Sequence, residues 1–127
     1  IWEATMFAAH YHLDNLCIIV DLNGLQIDGR TCDVMNTAPV DKKFEAFGCD
    51  VVCINGHDFN DIEKAMACFH ANHGTGKPTA VLMTTTKGKG VSYMENQAGW
   101  HGKAPNDDEY AQAMAELAAA RKAIEEG

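Results

Sequence analysis

Residues 21–29, Asp-Leu-Asn-Gly-Leu-Gln-Ile-Asp-Gly, follow the apolar run Leu16-Cys17-Ile18-Ile19-Val20. A strand ending there would present oxygens at the carboxyl edge of a sheet, where open α/β sheets bind ligands. Asn23 offers a neutral carbonyl oxygen, Gly24 a tight turn, and the backbone beyond it further oxygens. A hard cation carrying a phosphate group takes ligands of that kind. The Asn-Gly step between apolar runs is also the strongest short hairpin signal, and the stretch alone leaves both readings open. Between positions 77 and 103 stand Lys77, Lys87, Lys89 and Lys103 against a single acid, Glu95. Such a segment could meet an anionic small molecule or form a solvated loop. Glu3 by itself reads as a surface acid.

The bulk properties narrow the function classes. A net charge of −8 argues against nucleic acid and acidic membrane as partners. No apolar run approaches the roughly 20 residues that span a bilayer, and no signal-peptide pattern is visible. A length of 127 residues suits one domain. The chain begins at Ile1 inside an amphipathic pattern, so upstream sequence is expected. Five cysteines, an odd number, are read as free, mostly buried thiols in a reducing cytoplasm. Cys49 and Cys53 lack the spacing of a zinc site.

The elements follow from periodicity. Residues 1–13 read as a helix with Trp2, Met6, Ala9 and Leu13 on one face. His10 and His12, two apart, do not share a face. Residues 16–21 read as a strand, 30–39 as a polar loop, and 40–47 as a short helix with Phe44 and Phe47 inward and Gly48 as its stop. A second strand spans 50–55. Residues 59–71 form an amphipathic helix with Phe59, Ile62, Met66 and Phe69 on one face. The third strand is 79–85. A long irregular stretch, 86–106, is of the length that is functional or disordered, and Tyr93 and Trp100 argue for order. Residues 107–126 read as a helix patterned by Tyr110, Met114, Leu117 and Ile124, with acids in its first turn. Alternating helices and short apolar strands imply an α/β fold, a mostly parallel sheet with helices on both faces in three layers. Three strands alone leave two open edges, so a partial domain or a partner chain is expected.

The segment from Trp2-Glu3-Ala4 through Asp21-Leu22-Asn23-Gly24-Leu25-Gln26-Ile27-Asp28-Gly29 closely resembles the thiamine-diphosphate-binding region of transketolase. The likeness continues through Ala46-Phe47-Gly48, Gly56-His57-Asp58, Lys77-Pro78-Thr79, Thr86-Lys87-Gly88-Lys89-Gly90 and Gly99-Trp100-His101-Gly102-Lys103-Ala104-Pro105-Asn106. Each motif is weak alone; in this order they are specific. The resemblance is greatest to the C-terminal half of the N-terminal subunit of split transketolases, so residues 1–127 are expected to be a partial diphosphate-binding domain. It implies that Asn23 and the Leu25 carbonyl ligate Mg²⁺ or Ca²⁺ holding the diphosphate. The family's Gly-Asp-Gly half of that motif would lie upstream of Ile1. It further implies that Ile27 packs near the thiazolium ring, that Lys87 and His101 meet the cofactor, and that His101 and Lys103 meet substrate. As a neutral imidazole, His101 would donate a hydrogen bond or shuttle a proton. Glu3 would join a carboxylate network linking paired active sites. The implied reaction moves a two-carbon ketol unit from a ketose phosphate to an aldose phosphate, as in the pentose phosphate pathway. The activating glutamate would come from a pyrimidine-binding, C-terminal subunit or domain in a homo- or hetero-oligomer. The chain alone would be inactive. Alternatives are a non-catalytic remnant, or part of deoxyxylulose-phosphate synthase or pyruvate dehydrogenase; the Gly-Trp-His-Gly-Lys-Ala-Pro stretch favours transketolase.

Overall fold

In the computed structural model, which describes residues 1–126, the elements in chain order are α1 (Trp2–His10), β1 (Cys17–Leu22), β2 (Leu25–Gln26), β3 (Gly29–Arg30), α2 (Thr31–Val34), α3 (Val40–Ala46), β4 (Asp50–Asn55), α4 (Phe59–Ala71), β5 (Thr79–Thr84), a 3-10 turn (Ala98–His101) and α5 (Asp107–Glu125). They fall into two units, Ile1–Asn23 with Asn36–Thr85, and Gly24–Met35 with Thr86–Gly127.

The first unit is built on a parallel sheet of order β1-β5-β4, with Cys17, Thr79 and Asp50 level at its start. Central β5 is the most buried of the three strands, Thr79 to Leu82 being covered, as a strand with both faces packed requires. Side chains alternate between the faces. Ile18, Val20, Leu22, Ala80 and Leu82 pack with Trp2, Val40, Phe44, Cys49 and Val51. Trp2 lies 5.2 Å from Phe44 and 5.5 Å from Phe47, ring to ring, so α1 and α3 share that layer. On the opposite face, the amide of buried Asn72, just past α4, donates to Thr79 Oγ1 at 3.0 Å and to the Lys77 carbonyl at 2.8 Å. Helices on both faces of a parallel sheet are the expected layers. Gly48 ends α3 in a left-handed conformation (φ 91°), its N–H donating to the Glu45 carbonyl at 2.9 Å.

Three expectations, two for this unit and one for the cysteines of the whole chain, need correction. Helix α1 buries Thr5 and Ala8 rather than Met6, which is 47% exposed, and it stops at His10. Phe59, at the first turn of α4, is 88% exposed, and the buried residue of that helix is Ala65. Cys49 is buried and Cys17 half-buried, but Cys32, Cys53 and Cys68 are exposed free thiols.

The second unit has little apolar interior. Strands β2 and β3 form an antiparallel hairpin, Leu25 opposite Arg30 and Gln26 opposite Gly29, turning at Ile27-Asp28. The hairpin turn therefore lies four residues on from the Asn-Gly step that signals one. Asn23-Gly24 instead leaves β1, with Gly24 at φ 73°. The predicted polar loop 30–39 begins as the end of β3 and then α2, because the Thr31 N–H and hydroxyl donate to the Gly24 carbonyl at 2.9 and 3.2 Å. In the long stretch after β5, Gly88 holds φ 72°, and a Cβ there would come within 2.6 Å of the Met94 carbonyl oxygen. Helix α5 starts with a capping box: Asn106 accepts from the Glu109 N–H at 2.9 Å, and Glu109 accepts from the Asn106 N–H at 2.8 Å. Its Tyr110, Met114, Leu117 and Ile124 stripe is exposed; the face turned inward carries Ala113, Glu109 and Glu116. Polar contacts to residues 92–103 set the rotation of this helix.

Candidate functional site

In the first unit the candidate residue Asn23 stands at the carboxyl end of a strand. Asn23 follows β1, and its Nδ2 donates to Asp21 Oδ2 at 3.2 Å. Asp21 also accepts from the Thr85 hydroxyl, from beyond the end of neighbouring β5. The pair of bonds sets the Asn23 amide plane and turns its carbonyl oxygen away from the carboxylate. Orientation of a ligand by a hydrogen-bonded carboxylate behind it is the usual support of a metal site. Sequence reading passed over Thr85 and gave Asp21 no such role, since the bond between them joins strands far apart in the chain. A cavity of about 330 Å³, lined by Asp50, Val52, Cys68, Ala71, Asn72 and Thr79, lies at the opposite, amino ends of the strands. Ligands in open α/β sheets bind at the carboxyl ends, so that cavity is not the candidate site. Glu3 stands in the first turn of α1 with its side chain 88% exposed. Asp58, part of the Gly-His-Asp motif, caps α4 by accepting from the Asn60 N–H at 2.8 Å.

In the second unit Leu25 lies on β2, which runs beside the 3-10 turn that ends in His101. The structure thereby brings the Leu25 strand and the His101 turn together. Ile27, at the hairpin tip, is 65% exposed, an apolar side chain offered to a ligand or neighbour rather than to the core. Lys87 is half-buried, and its carbonyl accepts from the Asn96 N–H at 3.0 Å. Lys103 is not a loose cation: its Nζ is 2.7 Å from Glu109 Oε1 and 4.1 Å from the centre of the Trp100 ring. Lys89 pairs with Glu95 at 3.5 Å and Lys77, in the first unit, with Asp50 at 3.6 Å. Much of the apparent basic character of residues 77–103 is thus offset by acids outside or within it. The Lys103 ammonium, and then the Asn106 N–H, hold the Glu109 carboxyl below the ordinary range. Ser92 does the same to Glu116, its hydroxyl and N–H both donating at 2.6 Å, with Gln112 adding a third bond. Glu109 and Glu116 carry no signal of these contacts in the sequence beyond Asn106-x-x-Glu109, a readable capping pattern for the first, and Tyr93 signals only order.

A neutral amide oxygen such as that of Asn23 is of the kind a hard cation takes when it brings its own phosphate and water ligands. No cluster of three or more His, Cys, Asp or Glu side chains suited to a metal occurs among the described residues. In the first unit the amide of Asn23, held by Asp21, offers a neutral oxygen. Mg²⁺ accepts such sparse protein ligation when phosphate oxygens complete the shell.

Residues 1–124 match the family model for the transketolase thiamine diphosphate binding domain. The chain is 45% identical over 116 residues to one subunit of an apulose-4-phosphate transketolase from Actinobacillus succinogenes, covering 91% of this chain and 41% of that protein. It is 38% identical over 117 residues to a 6-deoxy-6-sulfo-D-fructose transketolase subunit from Clostridium sp., covering 92% of this chain and 42% of the relative. The chain thus spans less than half the length of these curated relatives. The structure superposes on the transketolase of Campylobacter jejuni with a TM-score of 0.80 at 31% identity, over 91% of this chain and 18% of that one. By its sequence and its α/β fold, the chain belongs to the transketolase family, within the thiamine diphosphate binding domain.

Proposed function

We propose that this chain is a partial diphosphate-binding domain of a two-subunit transketolase, completed by a pyrimidine-binding partner. The observation that carries the reading is the Asn23 amide, held by Asp21 at the carboxyl end of β1, where the fold places ligands. Thiamine diphosphate, when bound, supplies the carbanion chemistry and the electron sink for moving a two-carbon ketol unit between sugar phosphates, as in the pentose phosphate pathway. The chain's own residues bind and orient. Asn23 and the Leu25 carbonyl are neutral oxygen ligands for Mg²⁺, or for Ca²⁺. Ile27 gives an apolar contact for the thiazolium ring, and Lys87 offsets diphosphate charge. His101 donates a hydrogen bond or moves a proton at a substrate oxygen. The Lys103 ammonium has three donors; one engages Glu109, so it can meet a sugar phosphate without leaving it. Glu3, exposed on α1, is assigned to a carboxylate network with a second subunit. Two relatives are themselves named as transketolase subunits, which supports an oligomer with a partner subunit. The five free cysteines suit a cytoplasmic setting. No helix among the described residues is long and apolar enough to cross a membrane.

Titration calorimetry tests the reading. The chain alone should take up thiamine diphosphate with Mg²⁺ no tighter than roughly 1 mM, about −4 kcal/mol. Assembled with its partner and a family-type Gly-Asp-Gly segment, it should bind tightly and turn over. There, Asn23→Ala should mainly weaken cofactor affinity and His101→Ala mainly slow turnover. Tight metal-dependent binding by the isolated chain would refute the partial-site reading. Assembly without turnover would favour a non-catalytic remnant.

A further inference from the structure

His101 and Gly102 are the exposed span of a closed ring of contacts lying wholly within the second unit. On the near side, the Trp100 indole N–H donates to the Tyr93 carbonyl at 3.0 Å, and the two rings stand 5.1 Å apart. The Tyr93 hydroxyl donates to the Glu109 main-chain carbonyl at 2.6 Å. The Glu109 carboxylate accepts from Lys103 Nζ at 2.7 Å, and that ammonium sits 4.1 Å over the Trp100 ring, which closes the ring. The other carboxylate oxygen accepts from the Asn106 N–H at 2.8 Å. One side chain thus starts α5 and anchors the segment 100–103.

We propose that Glu109 is a positioning residue for His101: by holding Lys103 against the face of Trp100, it fixes both flanks of the two-residue span that carries the imidazole. The inference rests on the role given to His101 above. A short span tied at each end has already lost most of its backbone freedom on folding, so less must be given up when substrate binds. The Glu109 side chain is 26% exposed and that of Lys103 is 53% exposed, so the pair is partly shielded from water. Its bond is charge-assisted, and the ammonium gains a second attraction from the indole face.

The test reads solvent exchange of the Trp100 indole N–H by NMR in this chain, which needs neither cofactor nor partner. Glu109→Gln keeps an acceptor for the Asn106 N–H, since Gln also serves in a capping box, and removes the charge. It should speed indole exchange roughly three- to fivefold, Lys103→Met should do the same, and the double variant should add little, as expected of a partly exposed pair. Asn106→Ala, which loosens the start of α5 but leaves the Lys103–Glu109 pair, should stay within roughly twofold of wild type. In the assembled enzyme, Glu109→Gln should lower kcat roughly tenfold with KM for the sugar phosphate nearly unchanged, and Glu109→Asp should recover part of the loss. Unchanged exchange in both single variants overturns the proposal. So does an Asn106→Ala effect as large as that of Glu109→Gln, or a change confined to KM. An assembled wild type without turnover would refute the role of His101, whereas the exchange result separately decides whether Glu109 holds the segment.

Discussion

In the first unit Trp2 rests on Phe44 and Phe47 above an apolar parallel sheet, whereas in the second Trp100 sits in a ring of hydrogen bonds with few buried apolar neighbours. Apolar burial is non-directional and indifferent to pH. A network of charged and hydrogen-bonded side chains is directional, and it depends on which groups are ionised. The first unit therefore has the makings of a scaffold. The second carries the loop, hairpin and 3-10 turn on which most candidate site residues stand, and loops positioned by rigid elements are where binding residues concentrate.

The strongest way to break this contrast is Phe44→Ala. Phe44 is 1% exposed at the centre of the sheet cluster, and its loss should cost about 3–5 kcal/mol in denaturant unfolding. Leu117→Ala, on the 43% exposed stripe of α5, should cost under about 1 kcal/mol. Equal costs would mean that the second unit has an apolar core of its own. Gly88→Ala comes next. It forces a side chain into a left-handed conformation and against the Met94 backbone, and should destabilise by about 1–3 kcal/mol, read as faster amide exchange around residues 87–97.

Acid gives the smaller and more informative effect. The carboxyls of Glu109 and Glu116 are held below their ordinary range in the folded chain, the first mainly by Lys103 and the second mainly by Ser92. A depressed folded pKa contributes stability that is present above the unfolded value and is lost as pH falls through the folded one. Asp14 in the first unit is likewise lowered, by the Gly76 and then the Gly74 N–H, but the sheet beneath it keeps its apolar burial at any pH. On acidification Trp100 fluorescence, followed in a Trp2→Phe background, should change at higher pH than Trp2 fluorescence followed in Trp100→Phe. Coincident transitions would erase the distinction between the units.

Much of this was legible along the chain. Strands β4 and β5 matched their apolar runs almost residue for residue, and Gly48 stopped α3 as expected. Other readings slipped for identifiable reasons. The Asn23-Gly24 step signalled a hairpin because local turn propensity carries no information about which strand comes next. Gly24 bends the chain out of a parallel strand, and the hairpin closes later at Ile27-Asp28. The α5 stripe of Tyr110, Met114, Leu117 and Ile124 suggested an inward face by its spacing alone. Hydrogen bonds from Ser92 and Tyr93 to that helix turn a different face inward. Lys103 looked like a loose cation because Glu109 meets it only once the turn and the capping box have formed.

Residue order alone determined the parallel α/β architecture, the caps of α4 and α5 and the transketolase motifs, since each depends on neighbours within a few positions or on a periodicity of apolar side chains. The partners of the carboxylates were decided only in three dimensions. Asp21 meets Thr85 across the sheet, and Glu116 meets Ser92 across a loop. Bonds of that kind form between groups brought close by the closure of the chain, and no local spacing encodes them. The first backs the carboxylate that holds the Asn23 amide and the second ties residue 92 to α5, so the family was written in the sequence and these contacts in the fold.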